Sequence, residues 1–206
     1  MAEDLPIYSD IPLRTGLQFA ELERLKGFDT SPSWARADAA IASLEGATGV
    51  AAARASLTPS RESLLRMHGL LFPARDGSGQ LRVTPLAPLY RGQDCAPPEF
   101  IEHSLDNFME WMAADSFTQI HPVEQSALTM TRLIDLWPFE FGNLTAALMF
   151  GNLPLKNAEL APFFVPSQYR NEFEKAIAQA MTIDMQPLVN AIFRSVKKEM
   201  ESLAKR

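Results

Sequence analysis

The sequence predicts an all-α domain interrupted by one small β-hairpin, and three observations carry that expectation. Apolar residues recur at helical spacing along most of the chain; prolines and short hydroxyl or amide side chains punctuate the runs; and only the stretch from Asp76 to Pro98 loses the helical period. In that stretch Leu81-Arg82-Val83-Thr84 and Pro88-Leu89-Tyr90 pair most naturally as a hairpin. Pro85 and Pro88 confine any ladder to an edge, because proline has no N–H to donate.

The helices follow in order. Residues 1–14, with Pro6 and Pro12, read as an extended arm. A first helix runs through Leu17 to Lys26 with Leu22 and Leu25 on one face, and an Ala-rich second begins near Ser33 and reaches Leu44 before Gly46. Thr58-Pro59 supplies a capping hydroxyl and a first-turn proline for a third, in which Leu64, Leu65, His68 and Leu71 share helical spacing. After Pro97-Pro98 the stripe Ile101, Leu105, Phe108, Met109, Met112 marks a fourth. A fifth opens at Pro122, carries Ala127, Met130, Leu133 and Ile134, and stops before Trp137-Pro138, since a residue preceding proline is pushed out of the α region. The turn Glu140-Phe141-Gly142-Asn143 leads into a very apolar helix, Leu144 to Phe150, closed by Gly151-Asn152 and Pro154. Two more follow: one near Pro166 with Tyr169, Phe173, Ile177 and Met181, the other near Asp184 with Leu188, Ile192, Val196, Met200 and Leu203. These Met and aromatic stripes read as core.

Composition narrows the function. The chain has 206 residues, enough for one domain with a sizeable core, and a net charge of −6. With no long basic run to offset it, a nucleic-acid backbone footprint is not expected. Cys95 is the only cysteine, so no internal disulfide can form and a reducing compartment fits. An acidic start, Met1-Ala2-Glu3-Asp4, and the lack of a bilayer-length apolar run make the cytoplasm the expectation, with no membrane partner. His68, His103 and His121 have no metal-ligand spacing.

The chemistry concentrates between the fifth and sixth helices. Trp137-Pro138-Phe139-Glu140-Phe141-Gly142-Asn143-Leu144-Thr145-Ala146-Ala147-Leu148 resembles the loop of the Fic (Fido) family, His-Pro-Phe-x-(Asp/Glu)-Gly-Asn-(Gly/Lys)-Arg-x-x-Arg. Pro138, Phe139, Gly142 and Asn143 agree; Gly79-Gln80-Leu81-Arg82 is similar to the Gly-x-x-Arg before that family's flap, and His121-Pro122 to the His-Pro opening its preceding helix. The resemblance spans roughly residues 35–195. It implies a helical domain of about 35–206 behind an N-terminal arm and helix at 1–34, with Arg82, Val83 and Leu89 on the flap.

The same resemblance implies AMP transfer to protein hydroxyls, and it also implies that this chain has lost it. The family's general base is a His; here Trp137 stands there, and an indole N–H donates but does not accept a proton. Its Mg²⁺ carboxylate is matched by Phe141, with Glu140 one step away. Its two phosphate-binding arginines are matched by Thr145 and Leu148. Gly142 and Asn143 keep part of the backbone nest at the helix start, and Thr145 offers an anion one hydroxyl. Ile41-Ala42-Ser43-Leu44-Glu45-Gly46 is similar to the family's inhibitory helix end; its expected partner, Leu148, cannot form an ion pair, so Glu45 must turn to Arg82, another donor or water. The leading expectation is a pseudoenzyme of bacterial type that works by binding or regulation, with no cofactor of its own, ATP and Mg²⁺ entering only with residual activity. A protein partner is expected, and a homodimer is left open. Two alternatives remain: an active nucleotidyl or phosphate-group transferase using Glu140, Asn143, Thr145 and Arg82 on another donor, and a plain helical scaffold. A second His-Pro, at His121-Pro122, is excluded as the active loop because Gln125 to Thr131 has no glycine and stays helical.

Overall fold

The computed structural model describes residues 14–86, 95–165, 169–182 and 184–205, the side chains of 14–18 aside. Eleven helices occur among the described residues: α1 Arg14–Glu23, α2 Ser31–Ala42, α3 Val50–Ala55, α4 Arg61–Leu71, α5 Pro98–Ala113, α6 Asp115–Thr118, α7 Pro122–Leu136, α8 Asn143–Gly151, α9 Leu153–Asn157, α10 Arg170–Ala180 and α11 Gln186–Ala204. The start at Thr58-Pro59 falls two residues early: Ser60 is the cap, its hydroxyl accepting from Ser63 N–H at 3.1 Å.

The hairpin is a correction. No strand occurs among the described residues, and Leu81 to Leu86 are irregular; Leu89 and the rest of the expected second arm lie outside them. The first arm is diverted by its own hydrogen bonds. Arg82 N–H donates to Pro138 O at 2.9 Å and Thr84 N–H to Glu140 Oε1 at 3.2 Å, while Pro85 has no donor, so little is left for a ladder. Val83, at 86% exposure, points to solvent instead of into a sheet.

Helix α7 is the hub, packing against α5, α8, α9 and α11. Its contact with α8 is close because Gly151 faces it: a Cβ there would sit 2.1 Å from Met130 Cγ. From Thr145 to Gly151 every residue of α8 is buried, as suits a helix apolar on all sides. On the far flank α11 runs along α7 with α10 and α1 against it, while α2 and α4 pack on α8, with α3 against both of them. Asn152 fixes the turn after α8 by donating to Phe163 O at 2.8 Å and accepting from Phe163 N–H at 2.7 Å.

His121 is the N-cap of α7, its Nδ1 accepting from Val123 N–H at 3.2 Å. Its ring stacks on Phe19 with centroids 3.8 Å apart, which pins α1 to the body. The short helices α3, α6 and α9 carry too few residues to leave a period in the sequence.

Candidate functional site

The loop between α7 and α8 is built by four clamps. At its entry Trp137 takes a left-handed conformation, φ 45°, which ends α7 and exposes the last carbonyls of that helix. Arg82, only 2% exposed, satisfies them. Its guanidinium donates to Trp137 O at 2.7 Å, Leu136 O at 3.4 Å, Thr84 O at 2.9 Å and also to Ala96 O. A cation at a helix C-terminus is doubly favourable, through these bonds and through the helix dipole. The arginine expected on a flap is therefore a structural clamp, and none of its donors is directed at Glu45.

Asn143 is the second clamp. Its side-chain amide accepts from Phe139 N–H at 2.9 Å and donates to Phe139 O at 2.7 Å, closing the turn on itself. Both atoms of Phe139 are buried, so each bond spares a desolvation cost of about 1–3 kcal/mol.

The third clamp is His68, which the sequence placed at helical spacing with Leu64, Leu65 and Leu71. It is fully buried on α4, with its ring stacked on Phe139 at 3.8 Å. Gly79 N–H donates to Nδ1 at 2.9 Å, so the proton resides on Nε2, which donates to Phe141 O at 3.0 Å. Burial pushes its pKa below the usual imidazole value, and the ring is neutral. The only sequence signal was a histidine on an apolar helix face.

Gly142 is the fourth. With φ 69° and the Phe72 ring beneath it, any Cβ would fall 2.3 Å from Phe72 Cε2 and 3.1 Å from His68 Nε2. Only glycine fits both demands.

On this frame the remaining residues find their places. Trp137, Phe141 and Leu144 are half-buried at the mouth of the loop. Phe141 lies edge to face with Phe72, and the Arg75 guanidinium sits 3.6 Å above its ring centroid. Glu140 is exposed and occupied with Thr84 N–H. Leu148 is sealed in the core at 1% exposure. His103 is exposed beside Asn107, away from the loop.

Glu45 crosses from the end of α2 to this site. Its Oε2 accepts from Thr145 N–H at 3.1 Å and from Thr145 Oγ1 at 2.7 Å, across 100 residues of sequence. Glu45 itself holds φ 47°, a left-handed conformation costly for any residue with a Cβ. The carboxylate lies where the N–H groups at the start of α8 converge, the natural seat of an anion. Glu45 is exposed, so water screens the pair and its stabilisation is that of a surface interaction.

The donor set does not fit a divalent metal. An aromatic ring under a guanidinium occupies position 141, and among the described residues no three His, Cys, Asp or Glu side chains come together as ligands.

This loop, a Pro-Phe turn closed by Gly-Asn between a hub helix and a buried one, matches a known family. The Fic/DOC family model aligns with residues 58–155. Over that stretch the chain is similar to a Fic/DOC domain. Protein adenylyltransferase fic-1 of Caenorhabditis elegans is 27% identical over 150 residues, covering 71% of this chain and 28% of that protein. The chain thus spans under a third of its curated relative. Among solved structures, a Fic-1 segment from C. elegans superposes with a TM-score of 0.72 at 17% identity, covering 94% of this chain and 74% of that one. An IbpAFic2 variant in complex with adenylylated Cdc42 gives 0.63 at 20% identity, covering 89% and 70%. At these identities the structural likeness establishes the Fic fold.

Proposed function

We propose that this Fic domain does not transfer AMP and acts as a binding or regulatory module on another protein. The observation that carries the reading lies at positions 141 and 148. A phenyl ring under Arg75 and a leucine sealed in the core stand where the resemblance requires a metal-binding carboxylate and a phosphate-binding guanidinium. Trp137 at the position of the base adds a third deficit, since losing a positioned base costs a factor of about 10²–10⁴ in rate. In this reading residues 35–206 are the functional domain, including the helix that presents Glu45, and residues 1–34 are an accessory arm. A protein partner follows by analogy with the Cdc42 complex of the IbpAFic2 protein. Among the described residues no helix is long and apolar enough to cross a membrane, and a cytoplasmic setting is part of the proposal.

A second reading has one observation in its favour: the start of α8 holds an oxyanion through Thr145. A transferase using a different phosphorylated donor would exploit that feature.

The test is AMP incorporation from labelled ATP with Mg²⁺ or Mn²⁺, scored on the protein itself and on a cell lysate. Both the wild-type chain and Glu45→Gly are assayed, so that a blocked site is not mistaken for an inactive one. The expected result is no label above a heat-inactivated control. Incorporation by either form overturns the proposal in favour of an enzyme.

A further inference from the structure

A cavity of about 660 Å³ opens between α10, α11 and residues 163–165, and no residue of the α7–α8 loop or of α8 lines it. Small-molecule sites have volumes of roughly 300–1,000 Å³ and are largely pre-formed. This one has a fixed apolar floor. Phe163 and Phe173 are buried with their ring centroids 5.5 Å apart, and buried Ala176 lines the same space. Asn152 holds both backbone polar groups of Phe163, so the floor is set from the end of α8. Phe164 and Ala191 are half-buried in its walls, and Tyr169 stands exposed at the rim.

The α11 edge of the cavity is polar in one sense only. Asn190, Arg194 and Lys198 all line it and recur every fourth residue, which puts them on one face of that helix. Asn190 Oδ1 accepts from Gln186 Nε2 at 3.0 Å, which leaves the Asn190 amide N–H groups unspent. Arg194 and Lys198 make no ion pair among the described residues. Glu199 also lines the cavity, but the Arg36 guanidinium matches its charge and its Oε2 accepts from Ser33 Oγ at 2.9 Å. Glu172, exposed on the α10 edge, offsets one of the two free cations. The cavity therefore keeps a surplus of positive charge and of donors, on a chain whose net charge is −6.

We propose that the α10–α11 cavity binds an amphipathic monoanion, a carboxylic acid with an apolar chain: the chain lies on Phe163, Phe173 and Ala176, and the carboxylate meets Asn190, Arg194 and Lys198. Each alternative ligand class leaves something unmatched. A neutral apolar molecule fills the floor and leaves the α11 donors idle, and a cation faces two like charges. A compact polyanion has no apolar body for the floor and meets Glu172. The site is separate from the loop, so it stands whether or not the chain transfers AMP.

The test is calorimetric titration of the full chain with decanoate, octanoate, acetate, decanol and decyltrimethylammonium, each kept below its micelle concentration. The expected result is saturable one-to-one binding of decanoate, roughly tenfold weaker binding of octanoate, which has two methylenes fewer, and none of acetate. Decanol binds about fivefold more weakly than decanoate, and the cation does not bind. Arg194→Gln with Lys198→Gln, both at exposed positions, brings decanoate down to the level of decanol and leaves decanol unchanged. Ala191→Phe fills the cavity and abolishes binding of both with no fall in thermal midpoint. Equal binding of decanoate and decanol, several decanoate molecules per chain, no saturable binding at all, or full binding by folded Ala191→Phe overturns the proposal. So does displacement of decanoate by a peptide copied from residues 1–13, which combines Glu3 and Asp4 with Leu5, Ile7 and Tyr8, since the cavity would then belong to a segment of this chain. Sedimentation showing a wild-type dimer that Ala191→Phe dissociates would assign the cavity to a second copy and overturn it likewise.

Discussion

At the scale of single residues, the site differs from what its sequence neighbours imply because of where side chains are buried. Arg82 was an obvious candidate for a ligand contact, yet burial at the end of α7 turns all its donors inward. Arg75, in a Pro-Ala-Arg-Asp-Gly turn with no periodicity, gave no signal, and its guanidinium lies over the Phe141 ring. Leu148 shows why an arginine cannot simply be placed at its position. Its surroundings are apolar at 1% exposure, so Leu148→Arg buries an unpaired charge. The expected cost is about 3–5 kcal/mol, read as a fall in denaturant midpoint. A loss under about 1 kcal/mol would mean that the position opens onto the cleft and that the packing described for α8 is wrong. The turn itself was legible: Gly142 and Asn143 stand in the order that a left-handed residue followed by a helix start demands. The partner of Glu45 was not legible, because Thr145 lies 100 residues away and nothing local marks it as the donor of that contact.

Among the elements, long amphipathic helices could be read and short or composite ones could not. The stripes of α5, α7 and α11 each extend over three or more turns, so their periods survive in sequence. The flap failed as a hairpin because its register depends on the backbone of Pro138 and the side chain of Glu140, both more than 50 positions away. Helix α1 shows a different kind of dependence, on pH. Its Phe19 stacks on His121, whose Nε2 is buried without a hydrogen-bond partner and lies 3.9 Å from Glu23 Oε1. Burial pushes the His121 pKa from 6.5 down to about 4, with Glu23 opposing that shift and Lys26 reinforcing it. The folded chain thus refuses a proton that the unfolded chain accepts. Stability from this site is complete above about pH 6.5 and is lost as pH falls toward 4, by at most about 1.4 kcal/mol per unit. His68 acts in the same direction, while Glu124, raised by burial, works against it at the acid end. Thermal midpoints should therefore decline across that window, with hydrogen exchange rising first in α1. His121→Asn keeps a capping acceptor and should flatten the decline. An unchanged slope in that variant would remove His121 from the explanation.

Taken as a whole molecule, the chain keeps the Fic frame and rebuilds its mouth. The frame is expensive to alter: α7 and α8 meet at Gly151, His68 and Asn143 are both buried, and Arg82 ties the end of α7 to Thr84 and Ala96. The mouth is cheap to alter, being half-exposed, and it is there that an indole, a phenyl ring and a tethered carboxylate are found. In the proposed reading, a fold held by packing outlasts the chemistry that its relatives are named for. The most direct measurement is calorimetric titration of ATP with Mg²⁺ into the Glu45→Gly chain, where no internal carboxylate competes. The account predicts no saturable heat at millimolar nucleotide, and the same flat trace when the metal is chelated. Saturable, metal-dependent binding, followed by release of pyrophosphate, would contradict it.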